Sequence, residues 1–373
     1  MAALNRGTDT GNIIRVPENR TNNNSGRSFL YPAAGEQKNM EEYKKIWCNF
    51  DTLLIAFDTA KKRKGYHKTV LRYEANLAGN LEVLLEKLDN ETYRPAPYRE
   101  FLVYDPKERL IQAPYFEDRI VHHALLFAIR YPIEKKLIYD TYACRELKGT
   151  QRASNQLLRY IRSEQGLGFA LKIDVRKFFY SINHNRIDLH IEKIIPCIHT
   201  RNLLKLFYQN STGKGLPLGN VTSQLLANLA LNPIDQLVKR DLKVKHYVRY
   251  MDDMILLHPS KEYLNDCLVT IKQRLVNEQL ETNKRTGIQP LSRGINFVGY
   301  HHTVTGKRLT TRNLHKFRRV LKKKCDRVRS ISYLAFAKET TSYNLLAEHI
   351  TKQNPNLKNS IIAFTQRHRK AVA

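Results

Sequence analysis

HYVRYMDDMILLH, residues His246 to His258, reads as two β-favouring runs broken by Met251-Asp252-Asp253, a strand-turn-strand pattern. Two adjacent carboxylates in an apolar segment need a reason, because buried unpaired charge is expensive and would otherwise be neutralised. A divalent cation supplies one: Mg²⁺ takes hard oxygen ligands, usually one or two carboxylates together with substrate phosphates. Neighbours in an extended chain face opposite ways, so a tight turn is required to aim both carboxylates to one side. Alone, a Y-x-D-D string is weak, since such short strings recur by chance and a turn pair can simply be solvated. A third carboxylate lies upstream. GFALKIDVRKFFYSI (Gly168 to Ile182) begins as an alternating strand, ends in an aromatic cluster, and places Asp174 at the strand end before Phe178-Phe179. Two strands delivering three carboxylates to one point is the arrangement that a two-metal site requires.

Working outward, KGLPLGNVTSQLLANLALNPIDQLV lies between these strands and reads as a Gly/Pro loop followed by a long apolar helix. Tyr98 to Pro114 alternates apolar and polar residues around Asp105-Pro106-Lys107-Glu108, a hairpin signal. Helices are expected from about Glu41, over Leu77 to Leu88, through FEDRIVHHALLFAI, from Gln151 to Ser163 and from Tyr263 to Asn277. GINFVGYHHTV reads as one strand, and HKFRRVLKKKCDRVR (His315 to Arg329) as one helix packing Phe317, Val320, Leu321 and Val328 while its bases meet phosphates or solvent. Residues 1 to about 38 are rich in Asn, Gly, Arg and Thr without hydrophobic periodicity and read as a mobile extension.

The chain has 373 residues, 42% hydrophobic and 26% charged, the composition of an ordinary globular protein with two or three subdomains. Its 63 Lys and Arg against 35 Asp and Glu give a net charge of +28. That excess points to nucleic acid, whose phosphates draw most of their non-specific affinity from such residues. A membrane-surface protein would concentrate the charge on one amphipathic helix. The last 73 residues hold 17 Lys and Arg but only 3 Asp and Glu, so half the net charge sits in a fifth of the chain. The five cysteines form no C-x-x-C pair, and no stretch approaches a membrane span; a reducing cytoplasm is the expectation. His122-His123 and His301-His302 lack the spacing of a helical metal site, and Asp118 and Asp235 are expected to meet local arginines or caps.

In chain order and local context, the set resembles the reverse transcriptase motifs from about Tyr98 to Tyr300. The resemblance implies an α+β right-hand polymerase fold with fingers, palm and a short helical thumb. The expected divisions are a 1–38 extension, fingers with the first palm elements over 39–165, palm over 166–300, and a basic thumb over 301–373. It implies two Mg²⁺ ions, with Mn²⁺ able to substitute, held by Asp174, Asp252, Asp253 and the Val175 carbonyl. Lys107 and Arg109 would hold the dNTP triphosphate, although both also read as surface charges of a turn. Phe179 would gate the ribose 2′-OH, and Lys284 would protonate pyrophosphate. Leu218, Gly219 and Gln224 would support nucleotide and templating base, with Gly219 also open to a turn role. Template and primer contacts are expected from Arg145, Lys148, Tyr250, Phe297, Gly299 and Tyr300, and from Lys316, Arg318, Arg319, Lys322 and Lys323.

One departure narrows the resemblance. Where most bacterial reverse transcriptases read Gln-Gly-x-x-x-Ser-Pro, this chain reads Leu218-Gly219-x-x-x-Ser223-Gln224, a variant typical of diversity-generating retroelements. Tyr142 to Arg145 with Lys148-Gly149-Thr150, and Ser292 to Phe297, also resemble that subfamily. The implication is a polymerase in a bacterial host that copies a template-repeat RNA, misincorporates opposite adenine, and works with a small basic helical-bundle accessory protein. The competing readings are a reverse transcriptase of a defence system or group II intron, and a non-catalytic RNA-binding relic.

Overall fold

The structure is a computed structural model that describes residues 40–104 and 108–370. The expected 1–38 extension and Lys107 lie outside them. The chain divides into two compact units. One runs from the first described residue to Pro97 and adds Pro114–Pro132 and Ile195–Leu206; the other comprises Tyr98–Ala113, Ile133–Ile194 and Phe207 onward.

The first unit is helical. Its opening helix is split, because the Asn49 side chain accepts a hydrogen bond from Thr52 N at 2.8 Å and caps a new start at Phe50. Leu53 and Phe57 from Phe50–Lys61 are buried with Leu81 and Leu84 of Leu77–Asp89, and Trp47 donates its indole hydrogen to Thr200 Oγ1 at 2.8 Å. Asp118 accepts hydrogen bonds from the Tyr93 hydroxyl and from Ala96 N at 3.4 Å through Oδ1, with no arginine among these partners.

Among its described residues the second unit carries three antiparallel sheets. Strands β1 (Arg99–Tyr104) and β2 (Glu108–Ala113) form the expected hairpin, pairing Tyr104 with Glu108. Strands β3 (Phe169–Asp174), β4 (His246–Tyr250), β5 (Asp253–His258) and β6 (Gly287–Pro290) form a sheet in the order β4-β5-β3-β6. Central strands buried on both faces read as continuous apolar runs, as Met254-Ile255-Leu256-Leu257 does. Short, glycine-led β6 lacks that signal.

The third sheet corrects a reading. GINFVGYHHTV is a hairpin rather than one strand: β7 (Ile295–Phe297) turns through Val298 and Gly299 into β8 (Tyr300–Thr303), and β9 (Gly306–Leu309) follows. Both turn residues have positive φ, 43° and 90°, as a tight two-residue hairpin turn requires. The stretch from His315 to Arg329 is likewise two helices, Thr311–Lys323 and Arg327–Ala337. Asp326 ends the run by capping the second helix, its side chain accepting from Arg329 N at 2.8 Å. Val328, expected to pack, is therefore turned outward and 77% exposed. The long apolar helix breaks too, into Val221–Ala230, Asn232–Gln236 with Pro233 in its first turn, and a wide π turn at Leu237–Asp241. Phe317 and Leu321 do reach a C-terminal core, with Leu334, Leu346 and Ile350.

Candidate active site

The sheet register brings the aspartates together. Asp174, last in β3, pairs with Asp253, first in β5, and Asp253 pairs with Tyr250 of β4. Met251 and Asp252 are thus left as a two-residue turn. Met251 has φ 54°, a left-handed conformation uncommon outside glycine and costing on the order of 1–3 kcal/mol.

Arg249 holds that turn. Its Nη1 donates to the Met251 carbonyl at 3.1 Å, and its guanidinium is wholly buried. Asp235, equally buried, accepts from Arg249 Nε at 2.7 Å and Nη2 at 2.5 Å, as expected of it. Asn228 accepts at 3.2 Å through its side-chain and main-chain oxygens, while Tyr247 and Thr141 hydroxyls donate to Asp235 at 2.8 and 3.2 Å. A buried ion pair with its remaining polar atoms satisfied fixes geometry more than it adds stability.

The three carboxylates repel one another. Burial raises the Asp252 pKa, and the neighbouring Asp174 adds to the rise against the opposing field of Arg109. Burial pushes Asp253 up to about 6 even though Lys172 opposes the shift. Lys172 Nζ lies 3.1 Å from both Asp253 oxygens, yet its hydrogen bond goes to Oδ2, leaving Oδ1 buried without a hydrogen-bond partner. A cation would offset this excess of negative charge. Among the described residues no group of three His, Cys, Asp or Glu side chains is placed to hold a metal ion by itself. Open carboxylates completed by substrate phosphates suit Mg²⁺, which seldom occupies all-protein cages. The donor set therefore fits.

Around them lies a cavity of about 1450 Å³. It collects Arg109, Asp174, Val175, Phe179, Leu218, Tyr250, Asp252, Asp253 and Lys284 from segments far apart in sequence. Val175 is fixed by a bridge to Thr282, in which Asn283 N donates to the Asp174 carbonyl at 2.6 Å and Arg176 N to the Glu281 carbonyl at 2.8 Å. The Thr286 hydroxyl accepts from Asp174 N at 3.2 Å. The same loop carries Lys284 to the cavity wall. Phe178 is buried, as expected, and Phe179 is partly exposed, but both belong to a short helix, Phe178–Ser181, rather than to the strand.

Residues 105–302, just over half of the chain, match the reverse transcriptase (RNA-dependent DNA polymerase) family. The chain belongs to this family. Its fold is accordingly the mixed helical and antiparallel right-hand polymerase fold. This reverse transcriptase is similar to Protein YkfC of Escherichia coli K12, with 28% identity over 189 residues that cover 46% of this chain and 48% of that protein. It is also similar to the group II intron-encoded protein LtrA of Lactococcus lactis subsp. cremoris, 24% identical over 178 residues, which are 44% of this chain and 29% of LtrA. Among solved structures, apo telomerase from Candida tropicalis aligns with TM-score 0.47 and 11% identity over 73% of this chain and 59% of that one. Telomerase from Candida albicans in complex with a TWJ fragment of telomeric RNA aligns with TM-score 0.45 and 11% identity, over 74% and 54%. The matched regions span about half or less of the two curated relatives.

The remaining candidates of the reverse transcriptase separate. Gly219 does not line the cavity; with φ 152°, a Cβ there would lie 2.3 Å from the Gln112 carbonyl oxygen, so this glycine lets the loop close on β2, where Gln112 N donates to Leu218 O at 2.9 Å. Gln224 is exposed on the helix Val221–Ala230, outside the cavity lining. Arg145, expected on nucleic acid, turns inward and donates to the carbonyls of Ile138 and Thr141 at 2.7 and 3.1 Å. Lys148 Nζ sits 3.3 Å from the Tyr139 ring centroid, and burial with Arg145 nearby lowers it to about 8. Phe297 and Tyr300, expected at the primer, are core residues at 1% exposure; Tyr300 stacks on Phe336 and donates to its carbonyl at 2.8 Å. Cross-strand pairing explains this: Phe297 and Tyr300 are direct partners in the hairpin and share its inward face, while Val298 in the turn lines the cavity. Gly299 packs against Asn313 and Phe336. Arg319, Lys322 and Lys323 are exposed, while Lys316 and Arg318 are half-buried.

Sequence reasoning missed Lys172 and the contact of Thr150. Lys172 was legible, since it lies two residues before Asp174 on the same strand face. Thr150 stood in the Lys148-Gly149-Thr150 motif, but its contact, a hydroxyl donating to the Tyr250 hydroxyl at 3.3 Å across 100 residues, gave no sequence signal.

Proposed function

We propose that the chain is an RNA-directed DNA polymerase of a diversity-generating retroelement, making cDNA with errors concentrated opposite template adenine. The observation carrying this reading is Leu218: an apolar side chain lines the catalytic cavity on the loop that holds a glutamine in most bacterial relatives. Leucine cannot offer the amide hydrogen bonds of glutamine, so the fit over the nascent base pair relaxes. Copying would use a template-repeat RNA, in a bacterial cytoplasm, with a small basic helical-bundle protein as partner. No helix among the described residues is long and apolar enough to cross a membrane.

In the reaction, the primer 3′-oxygen forms a bond to the α-phosphorus of a dNTP while the bond to the bridging oxygen breaks and pyrophosphate leaves. Asp174, Asp252, Asp253 and the Val175 carbonyl would hold two Mg²⁺ ions, which when bound supply Lewis-acid activation of the hydroxyl and charge stabilisation on the leaving group. Arg109, with Lys107, neutralises the triphosphate. Phe179 packs on the sugar and disfavours a 2′-OH. Lys284 delivers a proton to the departing pyrophosphate. Lys172 keeps Asp253 aimed and lowers the cost of its charge.

The test is Mg²⁺-dependent dNTP incorporation on a defined RNA, with and without the accessory protein, followed by cDNA sequencing for wild type and Leu218→Gln. Adenine-centred errors that fall in the variant support the reading. An adenine error rate that Leu218→Gln leaves unchanged defeats the role of Leu218. Faithful synthesis by the wild type favours the second reading, an intron-type enzyme, which the likeness to LtrA motivates.

A further inference from the structure

A second cavity, of about 600 Å³, lies apart from the catalytic one along the helix Thr150–Ser163. We propose that it is a second binding site for single-stranded RNA, built by Arg152, Arg159, Arg162 and Tyr139. The three arginines recur at i, i+7 and i+10, so they share one helix face over about 15 Å. The opposite face, with Ala153, Leu157 and Ile161, is buried in the core, which fixes the orientation of the basic one. All three arginines are exposed.

The floor of this cavity is already neutral. Lys307 is buried and donates to Asn155 Oδ1 at 2.5 Å and to Glu339 Oε2 at 3.1 Å. Glu339 is the one carboxylate among the described residues lining the cavity, so the arginine rim keeps an excess of positive charge. Tyr139 supplies the second element. Its ring is 67% exposed, yet it is braced by Lys148, whose Nζ lies over the ring and donates to the Tyr139 carbonyl at 2.8 Å. Guanidinium groups with a braced aromatic face are the chemistry that takes phosphates and an unstacked base together. A duplex keeps its bases stacked and cannot use the aromatic element.

Position favours RNA over an acidic protein. Thr150, in the first turn of this helix, lines the catalytic cavity, and Arg152, two residues on, lines the second. A strand leaving the first therefore meets the second within one helical turn. The inference rests on family membership and not on the mutagenic reading, because the experiment contains no dNTP and reads no errors.

The experiment is fluorescence anisotropy of the full chain with a fluorescein-labelled oligouridylate of about 15 nucleotides, in EDTA, across a NaCl series. Wild type is compared with R152Q/R159Q/R162Q, with R152K/R159K/R162K and with Tyr139→Ala, each checked for an unchanged Tm. For the glutamine variant, Kd should rise at least about tenfold and the log–log salt slope should flatten by about two, given about 0.7 counterions released per contact. The lysine variant should keep the slope. Tyr139→Ala should raise Kd about fivefold or more with the slope unchanged. An unaltered Kd and slope in the glutamine variant overturn the proposal. So does an equal loss on duplex RNA combined with no effect of Tyr139→Ala, which would reduce the face to non-selective attraction.

Discussion

Behind Asp252 the charges of Arg249 and Asp235 are buried and tied down, whereas along the Arg152 face they stand in solvent. Arg249 reaches the Met251–Asp252 turn with no exposure at all, and its side-chain partners Asp235 and Asn228 are themselves buried. Arg152, Arg159 and Arg162 lie on a helix surface where no such network is needed. The difference follows from what each place requires. Two reacting oxygens tolerate errors of about half an ångström, which only over-determined side chains guarantee. Attraction of a polyanion tolerates much larger ones. Two carboxylates, one buried and one partly buried, sharpen the same contrast. Glu278 accepts from His190 and from Arg186 at 2.9 Å, and these bonds overcome its burial and bring it down to about 2. Asp253, with Lys172 alone, is pushed up to about 6. A partnered carboxylate stabilises the fold, whereas an under-partnered one keeps an oxygen free of protein hydrogen bonds.

The largest effect should come from the Met251–Asp252 turn. Asp252→Asn should lower the single-turnover incorporation rate at least about 10³-fold while Tm changes little, because charge is removed and shape kept. Retained incorporation would break the assignment of the turn to catalysis.

Arg249→Met tests the buried network. Leaving Asp235 charged and unpaired should cost about 3–5 kcal/mol in urea unfolding. The double variant Arg249→Met/Asp235→Leu should recover most of that stability, yet remain about tenfold or more slow in kcat because the Met251 carbonyl has lost its donor. Recovery of both would make Arg249 merely structural.

Glu278→Gln should cost about 3 kcal/mol near neutral pH, from a folded pKa of about 2 against an ordinary carboxylate value near 4.5. The sign follows from the depressed pKa. The contribution is present above about pH 4.5 and disappears as pH falls through about 2, so the two stability curves should converge in acid. Parallel curves would deny the charged pairing.

Gly219→Ala should cost about 1–3 kcal/mol, since its Cβ would press on the Gln112 carbonyl, and should raise KM for dNTP as the Leu218 loop leaves β2. The smallest effect belongs to the exposed face. R152Q/R159Q/R162Q should shift urea stability by less than about 0.5 kcal/mol while weakening RNA binding.

Much of the site was legible because its chemistry is local. Asp252, Asp253 and Asp174 stood out as carboxylates in apolar strands, and alternation in β3 with the continuous apolar run of β5 placed those strands in a core. Leu218 and Arg109 were legible only through motif order. Reading failed where two local signals competed. His315 to Arg329 keeps a helical period, but the Asp326 side chain satisfies the amide of a new helix start better than continued winding does. In Phe297 to Tyr300, Gly299 signalled a turn that the surrounding β-favouring residues concealed.

By itself, then, the sequence determined residue chemistry, strand and helix periods, the excess of positive charge, and the order of the motifs, all of which depend on neighbours within a few positions. The tertiary structure alone decided that Arg249 braces Met251, that Phe297 and Tyr300 face the core, that Gly219 admits Gln112, and that Tyr139 meets the Arg152 face. Those outcomes depend on groups up to about a hundred residues apart, and only packing, which a linear pattern does not encode, determines which side of each strand and helix is left for the solvent.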